Sequence, residues 1–558
     1  MHIDSSSTTV NGKVYTRHLL RNSYRKNGKV THDTIANLSK CSDEEIAAMK
    51  LALQNKRKIS AISTAALGVE VQQGLSVGAL LVLEHVAKSI GLTKALGNTR
   101  EGRLALFQVF ARVIDQGSRL SAVRLCKSHD IEGILGLSDF NEEDLYANLD
   151  WLTAQQDKIE NALYGALHPD AQSKNELFLY DVSSSYLEGE LNELAEFGYN
   201  RDKKNGKRQI VLGLLCNQEG TPVSIQVFDG NTNDTKTFKA QADKVSSRFG
   251  GGSVTFVGDG GMIKGPQIED LEAAGFHYIT SIGKRQISSL IDTGVLQLSL
   301  FDKHLYEIVR EAEGIRYLLR CNPKRMLEIR KTRASQLAKL QKWLDENNVY
   351  LQEHKRAKPA GYLTKLQAKI KSMGLAGFVE CALDERSIRL IIDADKQAEC
   401  EQLNGCYVVK TDLPVEAASK EVVHARYKAL INVEHAFRTC KTGHLELRPI
   451  YVRKASRTRG HALVVMLAYR LVQELAKLWS NLDLKVEEGL SMLGQYCKTE
   501  LIVGGASHGD QVQKPSSIIA DLFREAGVKL PQKWPAKKQA KTGGVYTKTT
   551  LGKNRKSR

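Results

Sequence analysis

No apolar run in this chain approaches the roughly 20 residues that a membrane-spanning helix needs. The most apolar stretch, residues 461–471, is broken by Arg470. The opening MHIDSSSTTVNGK has no apolar core of the kind a secretory signal carries, so a cytoplasmic location is expected. Cysteine is sparse and odd in number, at nine, with no C-x-x-C. The closest pair, Cys400 and Cys406, fits no zinc spacing, so the cysteines read as reduced, mostly buried thiols. His424, His435, His444 and His461 have no partner at the spacing a zinc site wants. The tail Lys533–Arg558 contains no acid at all. With 42% hydrophobic residues the chain is nonetheless no disordered polymer, and 558 residues exceed what one core supports, which implies several domains.

What is present in excess is positive charge, +17 overall, from 80 Lys and Arg against 63 Asp and Glu. A long chain this basic meets a polyanion. A membrane surface would want the charge on an amphipathic helix, whereas the basic tail carries Gly543, Gly544 and few apolar residues. Nucleic acid is the expected partner.

In chain order, residues 14–38 carry Asn27-Gly28 between two strand-like arms, a hairpin signal. Arg17, Arg21, Arg25, Lys26 and Lys29 make it basic, fit for a phosphate backbone or simply for solvent. From Asp43 to about Asn161 apolar residues recur three and four apart, a helical period, with Arg103, Arg112, Arg119, Arg124 and Lys127 among them. A helical DNA-binding module fits, as do helices that merely pack together. At Leu177 the texture changes. LFLYD ends on Asp181; QIVLGLLC and PVSIQVF read as strands; a helix is expected from Asp234, which reads as its N-cap. VTFVGD then ends on Asp259, followed by a helix near 266–274 and the strand HYITSIG. This order gives a mixed α/β sheet with two strands ending in carboxylates. Residues 284–424 interrupt it with a hairpin, two charged helices and two further strands. Leu337, Leu340 and Leu344 form a helical stripe there that fits either core or a partner surface.

YKALINVEHAFRTCK, residues 427–441, read as one helix, spaces Tyr427, Glu434 and Lys441 by seven, two turns apart and so on one face. Val433 and Phe437 would turn inward. A solvated face with a Glu434–Arg438 pair is the alternative. Asp181, Asp259 and Glu434 together form a set that can hold two divalent cations about 4 Å apart for in-line phosphoryl transfer, and an all-oxygen set suits Mg²⁺. Gly258, Gly260 and Gly261 beside Asp259 permit close approach of backbone and phosphate.

On these residues the chain resembles bacterial insertion-sequence transposases with an Asp-Asp-Glu site on a ribonuclease-H-like fold. In particular it resembles the group whose third acid lies in a Tyr-x2-Arg-x3-Glu-x6-Lys motif. The match is Tyr427, Glu434 and Lys441, with Leu430 where that motif has Arg, and Arg426 and Arg438 on either side. LYDVSSSY, FDGNTND, VGDGGM and HLELRPIYVRK also resemble the family's blocks, over about residues 175–475.

The resemblance implies a multidomain α/β protein. A ribonuclease-H-like core of mixed sheet flanked by helices (175–285 and 425–480) would be interrupted by an α+β insertion (286–424). A basic β-hairpin region (1–42) and a helical DNA-binding region (43–174) would precede it, and a C-terminal region with the basic tail (481–558) would follow. It implies that Asp181, Asp259 and Glu434 bind Mg²⁺, with Mn²⁺ able to substitute. Water and then a freed 3′-hydroxyl would attack phosphodiesters at the element's ends and in target DNA. Tyr427, Lys441, Arg438, Arg448 and Arg453 would contact DNA, and two protomers would pair the element's terminal inverted repeats in the bacterial nucleoid. A metal-dependent nuclease of the same fold that cuts without joining, and a non-catalytic DNA-binding derivative, are the alternatives.

Overall fold

The computed structural model describes residues 1–10, 12–26, 28–54, 56, 69–168, 175–199, 201–202, 204, 206–249, 253–441, 443–447, 451–503 and 506–530. The basic tail Lys533–Arg558 therefore lies outside the described residues. The chain divides into two compact units. One is drawn from Met1–Gly78, Leu493–Asp521 and Lys529–Arg558, the other from Ala79–Met492 and Leu522–Val528.

In the first unit, β1 (His2–Val10), β2 (Lys13–Lys26) and β3 (Lys29–Asn37) form an antiparallel meander. The expected hairpin is its second half, closed by Lys26↔Lys29 with Gly28 at φ +77°, a left-handed conformation that favours glycine. Asn27 itself lies outside the described residues. β1 was not legible, because its Ser/Thr-rich stretch alternates no apolar residues, yet it pairs from His2↔Arg21 to Val10↔Lys13. After α1 (Asp43–Gln54) comes β4 (Val69–Ser76), a strand inside the stretch expected to be helical. Its partner is Cys497–Val503, far along the chain.

The second unit opens with α2 (Gly78–Ser89), α3 (Leu92–Leu96), α4 (Arg100–Ile114), α5 (Arg119–Leu125), α6 (Ile131–Leu135) and α7 (Glu142–Leu167). Side chains start several of them: Thr99 accepts from the Gly102 N–H, and Asn141 and Asp144 form a capping box. Of the basic residues in this stretch, Arg112 and Arg119 are buried.

The main sheet is built from β5 (Asn175–Tyr186), β6 (Gln209–Cys216), β7 (Pro222–Phe228), α8 (Asp234–Arg248), β8 (Ser253–Gly258), α9 (Gly265–Ala273), β9 (His277–Ile282) and α10 (Lys284–Asp292). β5–β6–β7 are antiparallel, and β8 lies parallel between β5 and β9. Two expectations are corrected here. β5 does not end at Asp181 but runs on to Tyr186, so this acid sits in mid-strand, whereas Asp259 does follow the last residue of β8. Asn233, not Asp234, is the N-cap of α8; Asp234 is its first helical residue and pairs with Arg201.

β10 (Tyr306–Arg310), β11 (Ile315–Cys321), α11 (Pro323–Glu353), α12 (Pro359–Ser372), β12 (Val379–Asp384), β13 (Ser387–Ile392), α13 (Ala394–Gln402) and β14 (Cys406–Thr411) follow. The expected insertion is separate only in part. β14, β11 and β10 extend the main sheet beyond β9, giving the eight-stranded order β10-β11-β14-β9-β8-β5-β6-β7. Only α11, α12, β12 and β13 gather around a core of their own, in which Leu340 and Leu344 are fully buried and Leu337 partly so. The leucine stripe is core.

α14 (Lys420–Lys428), α15 (Leu430–Lys441), α16 (Ala455–Leu478), α17 (Val486–Gly494), β15 (Cys497–Val503), β16 (Ala506–Val512) and α18 (Ser517–Glu525) complete the described chain. In the second unit α16 is buried over most of its length and packs on α4, α7 and β7. Strand alternation divides β5. Phe178, Tyr180 and Val182 enter a core shared with Phe238, Val245 and Phe256, and the odd-numbered residues face the other way, where α15 packs. No helix among the described residues is long and apolar enough to cross a membrane.

The α16–α7 crossing is close enough that a Cβ on Gly460 would lie 2.2 Å from the Leu149 carbonyl oxygen. Gly460→Ala is expected to push the helices apart and cost about 1–3 kcal/mol, read as a lower midpoint in chemical denaturation. An unchanged midpoint would show that the crossing relaxes freely.

Candidate active site

The parallel register of β5 on β8 pairs Leu179 with Val257. Carried two residues further, it brings Asp181 level with Asp259 on the neighbouring strand, on the same side of the sheet. Each acid is held by its surroundings. The Val182 N–H donates to Asp181 Oδ1 at 2.7 Å, and Ser281 Oγ donates to Asp259 Oδ1 at 3.4 Å. The Gly260 N–H donates in turn to Ser281 Oγ at 3.3 Å. A Cβ on Gly260 would stand 2.3 Å from the Ser281 carbonyl oxygen, so glycine is required here for the Asp259 turn to lie against β9.

Glu434 arrives from α15, whose Val433, Ala436, Phe437 and Cys440 are buried toward the sheet. The expected single helix over 427–441 is corrected. It divides at Ala429, with ψ −14°, and the Asn432 N–H donates to the Ala429 carbonyl, a 3₁₀-like turn between α14 and α15. Tyr427 thus belongs to α14 while Glu434 and Lys441 belong to α15. Tyr427 still reaches the acids: burial raises the pKa of its phenol, and the charges of Asp259 and Glu434 add to the rise, while a hydrogen bond with Ser281 opposes it.

The three carboxylates line two adjoining clefts, of about 380 and 440 Å³. The first is walled by Tyr427, Lys428, Leu430 and Ile431, the second by Ser183, Arg201, Asp202, Arg438 and Lys441. Lys441 Nζ donates to Ser183 Oγ at 2.9 Å and to Asp202 Oδ1 at 3.0 Å. Arg453 is exposed, lines neither cleft, and its carbonyl accepts from the Glu193 N–H. Arg448 lies outside the described residues. Ser183, Arg201, Asp202 and Ser281 line the cleft or support its acids, and spacing could not reveal them, since they come from β5, the loop between β5 and β6, and β9.

Desolvation raises the Asp181 pKa from 3.8 to about 7, and the neighbouring charges of Asp259 and Glu434 add to it, against the Val182 N–H and Arg201. Among the described residues, however, no three His, Cys, Asp or Glu side chains form a group poised to hold a metal ion. The two observations differ because repulsion reaches further than coordination does. The acids are near enough to disfavour one another's charge without converging on one point. A partly buried carboxylate destabilised by two others, in an all-oxygen donor set, fits a divalent cation, whose charge relieves that repulsion.

Comparison with known proteins bears on the same region. Residues 172–471 match the family model described as transposase DDE domain, and residues 3–66 match that described as IS1634 family transposase, N-terminal domain. No curated protein matches the chain. Among solved structures, one described as the cryo-EM structure of piggyBac transposase synaptic complex with hairpin DNA is similar. It is 9% identical, covers 82% of each chain and has a TM-score of 0.33.

The raised Asp181 pKa fixes a sign for pH dependence. The unfolded chain releases this proton near 3.8 and the folded one near 7. Across that window the native state holds the extra proton, so this group's contribution falls as pH rises and is level above it. In chelator-treated buffer, Asp181→Asn is expected to be more stable than wild type at pH 8, by roughly 1–4 kcal/mol, and equal to it at pH 4. Denaturant melts at the two pH values check this; a variant less stable at pH 8 would contradict it.

Proposed function

Because the chain belongs to the family of transposases with a DDE domain, and so is a DNA-binding enzyme that cuts and joins DNA, we propose that Asp181, Asp259 and Glu434 are its catalytic acids. The supporting observation is that all three line the same pair of clefts, where burial first, and then the charges of Asp259 and Glu434, raise the proton affinity of Asp181. We further propose that the chain falls in the Tyr-x2-Arg-x3-Glu-x6-Lys group, with Leu430 in the arginine position.

The family uses divalent metal ions; here the three acids would hold Mg²⁺, or Mn²⁺ in its place. When bound, these cations supply charge stabilisation to the phosphoryl oxygens and acidify the attacking water or 3′-hydroxyl. The chain's own residues do the rest. Asp181 yields the proton it holds near neutral pH when positive charge enters the cleft. Ser281 orients the Asp259 carboxylate and the Tyr427 hydroxyl. Lys441, steadied by Ser183 and Asp202, offers a point charge to a strand phosphate. Arg438 stands on the wall of the same cleft, and Arg448 and Arg453 are further candidates for contacts with DNA phosphates.

On this reading the acids and their flanks in 175–285 and 425–480 carry the chemistry. The basic ribbon of 1–42 and the region 43–174 grip DNA, and 286–424 and 481–558 support an assembly of two protomers on two terminal inverted repeats. The enzyme would act on nucleoid DNA in the cytoplasm.

A plasmid carrying the DNA that flanks the gene, incubated with protein and Mg²⁺, tests the assignment. Asp181→Asn, Asp259→Asn and Glu434→Gln are each expected to lower end cleavage and joined product by roughly 10²–10³-fold or more, the scale of losing a group that stabilises transition-state charge, while DNA binding persists. Chelation is expected to abolish both products. Cleavage that survives in the variants would show the acids to be wrongly named, and cleavage without joining would move the reading to a nuclease.

A further inference from the structure

A further cavity, of about 250 Å³, shares no lining residue with the two acidic clefts. It lies against α4, α5, α7 and α16, and Arg112 and Arg119 are among the residues that line it. Both guanidiniums are buried, at 6% residue exposure each. Among the described residues neither makes an ion pair. Arg112 donates to the carbonyls of Gln116 and Gly117, and Arg119 to His461 Nδ1 at 3.0 Å. His461 is held well below its ordinary pKa by burial, with Arg119 and Arg112 adding to the effect, so it is a neutral acceptor and cancels no charge. The Glu446 carbonyl also accepts from Arg112 at 3.5 Å, while the carboxylates of Asp115 and Glu446, both exposed residues, act on Arg112 only through space. The Nε of each arginine is buried with no hydrogen-bond partner.

Two buried cations without a carboxylate are costly as a purely structural device. The backbone around them is also strained. Gln116 (φ +51°) and Glu446 (φ +37°) line this cavity and are two of the four non-glycine residues in the left-handed region among the described residues. Such conformations cluster at ligand clamps.

We propose that this cavity is a phosphate-binding site, in which the Arg112 and Arg119 guanidiniums receive a phosphate through their free N–H groups. Beside them, the side chains of Tyr146 and the exposed Tyr451 offer a wall for the sugar or base that follows the phosphate. The phosphate can belong to a DNA strand or to a free phosphate-bearing molecule; the chemistry the site reads is common to both.

The test is the melting temperature of the full-length protein against inorganic phosphate, at ionic strength matched with chloride. Phosphate is expected to raise the wild-type midpoint by several degrees, since a ligand that binds only the folded state stabilises it. Arg119→Met is expected to fold, having lost an uncompensated charge, and to lose the phosphate response. Should Arg119→Met not fold, Glu446→Gln decides: removing an acid at the rim is expected to tighten phosphate binding several-fold, whereas arginines with a structural role only would leave it unmoved. Asp181→Asn is expected to keep the response, so failure of this site and failure of the acidic one are separable. A fall of about one in the log–log salt slope of DNA binding in Arg119→Met assigns the phosphate to DNA; an unchanged slope, with the phosphate response intact in wild type, assigns it to a free molecule. No midpoint rise beyond the chloride control, or an equal rise in Arg119→Met, would overturn the proposal.

Discussion

Repulsion among three carboxylates is the constraint that the larger unit is arranged around. Asp181, within β5, and Asp259, just past the end of the parallel neighbour β8, line one cleft with Glu434 of α15. Nothing in the sheet requires acids there; an apolar pair would pack more cheaply. The fold carries the cost through rigid support: a parallel β5–β8–β9 centre, a glycine that lets the Asp259 turn meet Ser281, and a helix anchored by Val433, Ala436, Phe437 and Cys440. Packing thus keeps three like charges on one pair of clefts although they repel one another.

Charge is handled in two ways in the same unit. Buried Glu160 is satisfied: Lys244 and Arg248 pair with it, and Ser224 and the Ile225 N–H donate to it. That cluster ties α7 and α8 to β7 and is complete. Arg112 and Arg119, on α4 and α5 of the same unit, have only carbonyls and a neutral imidazole. The contrast between a closed ionic cluster and an open one within one unit is what makes the open one informative.

Local signals in the sequence were sound where local forces decide. The Asn-Gly hairpin, the strand expected to end on Asp259 and ending one residue short of it, the inward turn of Val433 and Phe437 and the hairpin of 306–321 follow from turn chemistry and periodicity. Where tertiary pairing decides, the sequence was silent. The strand holding Asp181 runs on through SSSY because β6 pairs with it from Leu179↔Cys216 to Tyr186↔Gln209. Likewise β10, β11 and β14 could not be seen to join the main sheet, because the partner of β14 is β9, over 120 residues earlier. The seven-residue spacing of Tyr427, Glu434 and Lys441 assumed one unbroken screw. The side chains share a neighbourhood because two helices turn at Ala429.

The pairing of β4 with β15 also has a meaning for synthesis. Gln73 and Cys497, in contact across these strands, are 424 residues apart. At the usual 5–20 residues per second, a growing chain carries β4 for roughly 20–85 seconds before its partner leaves the ribosome. Throughout that interval an unpaired strand is open to foreign edges. The stretch QQGLS, polar and glycine-bearing, is a poor template for such encounters, and so the chain's beginning can wait for its end.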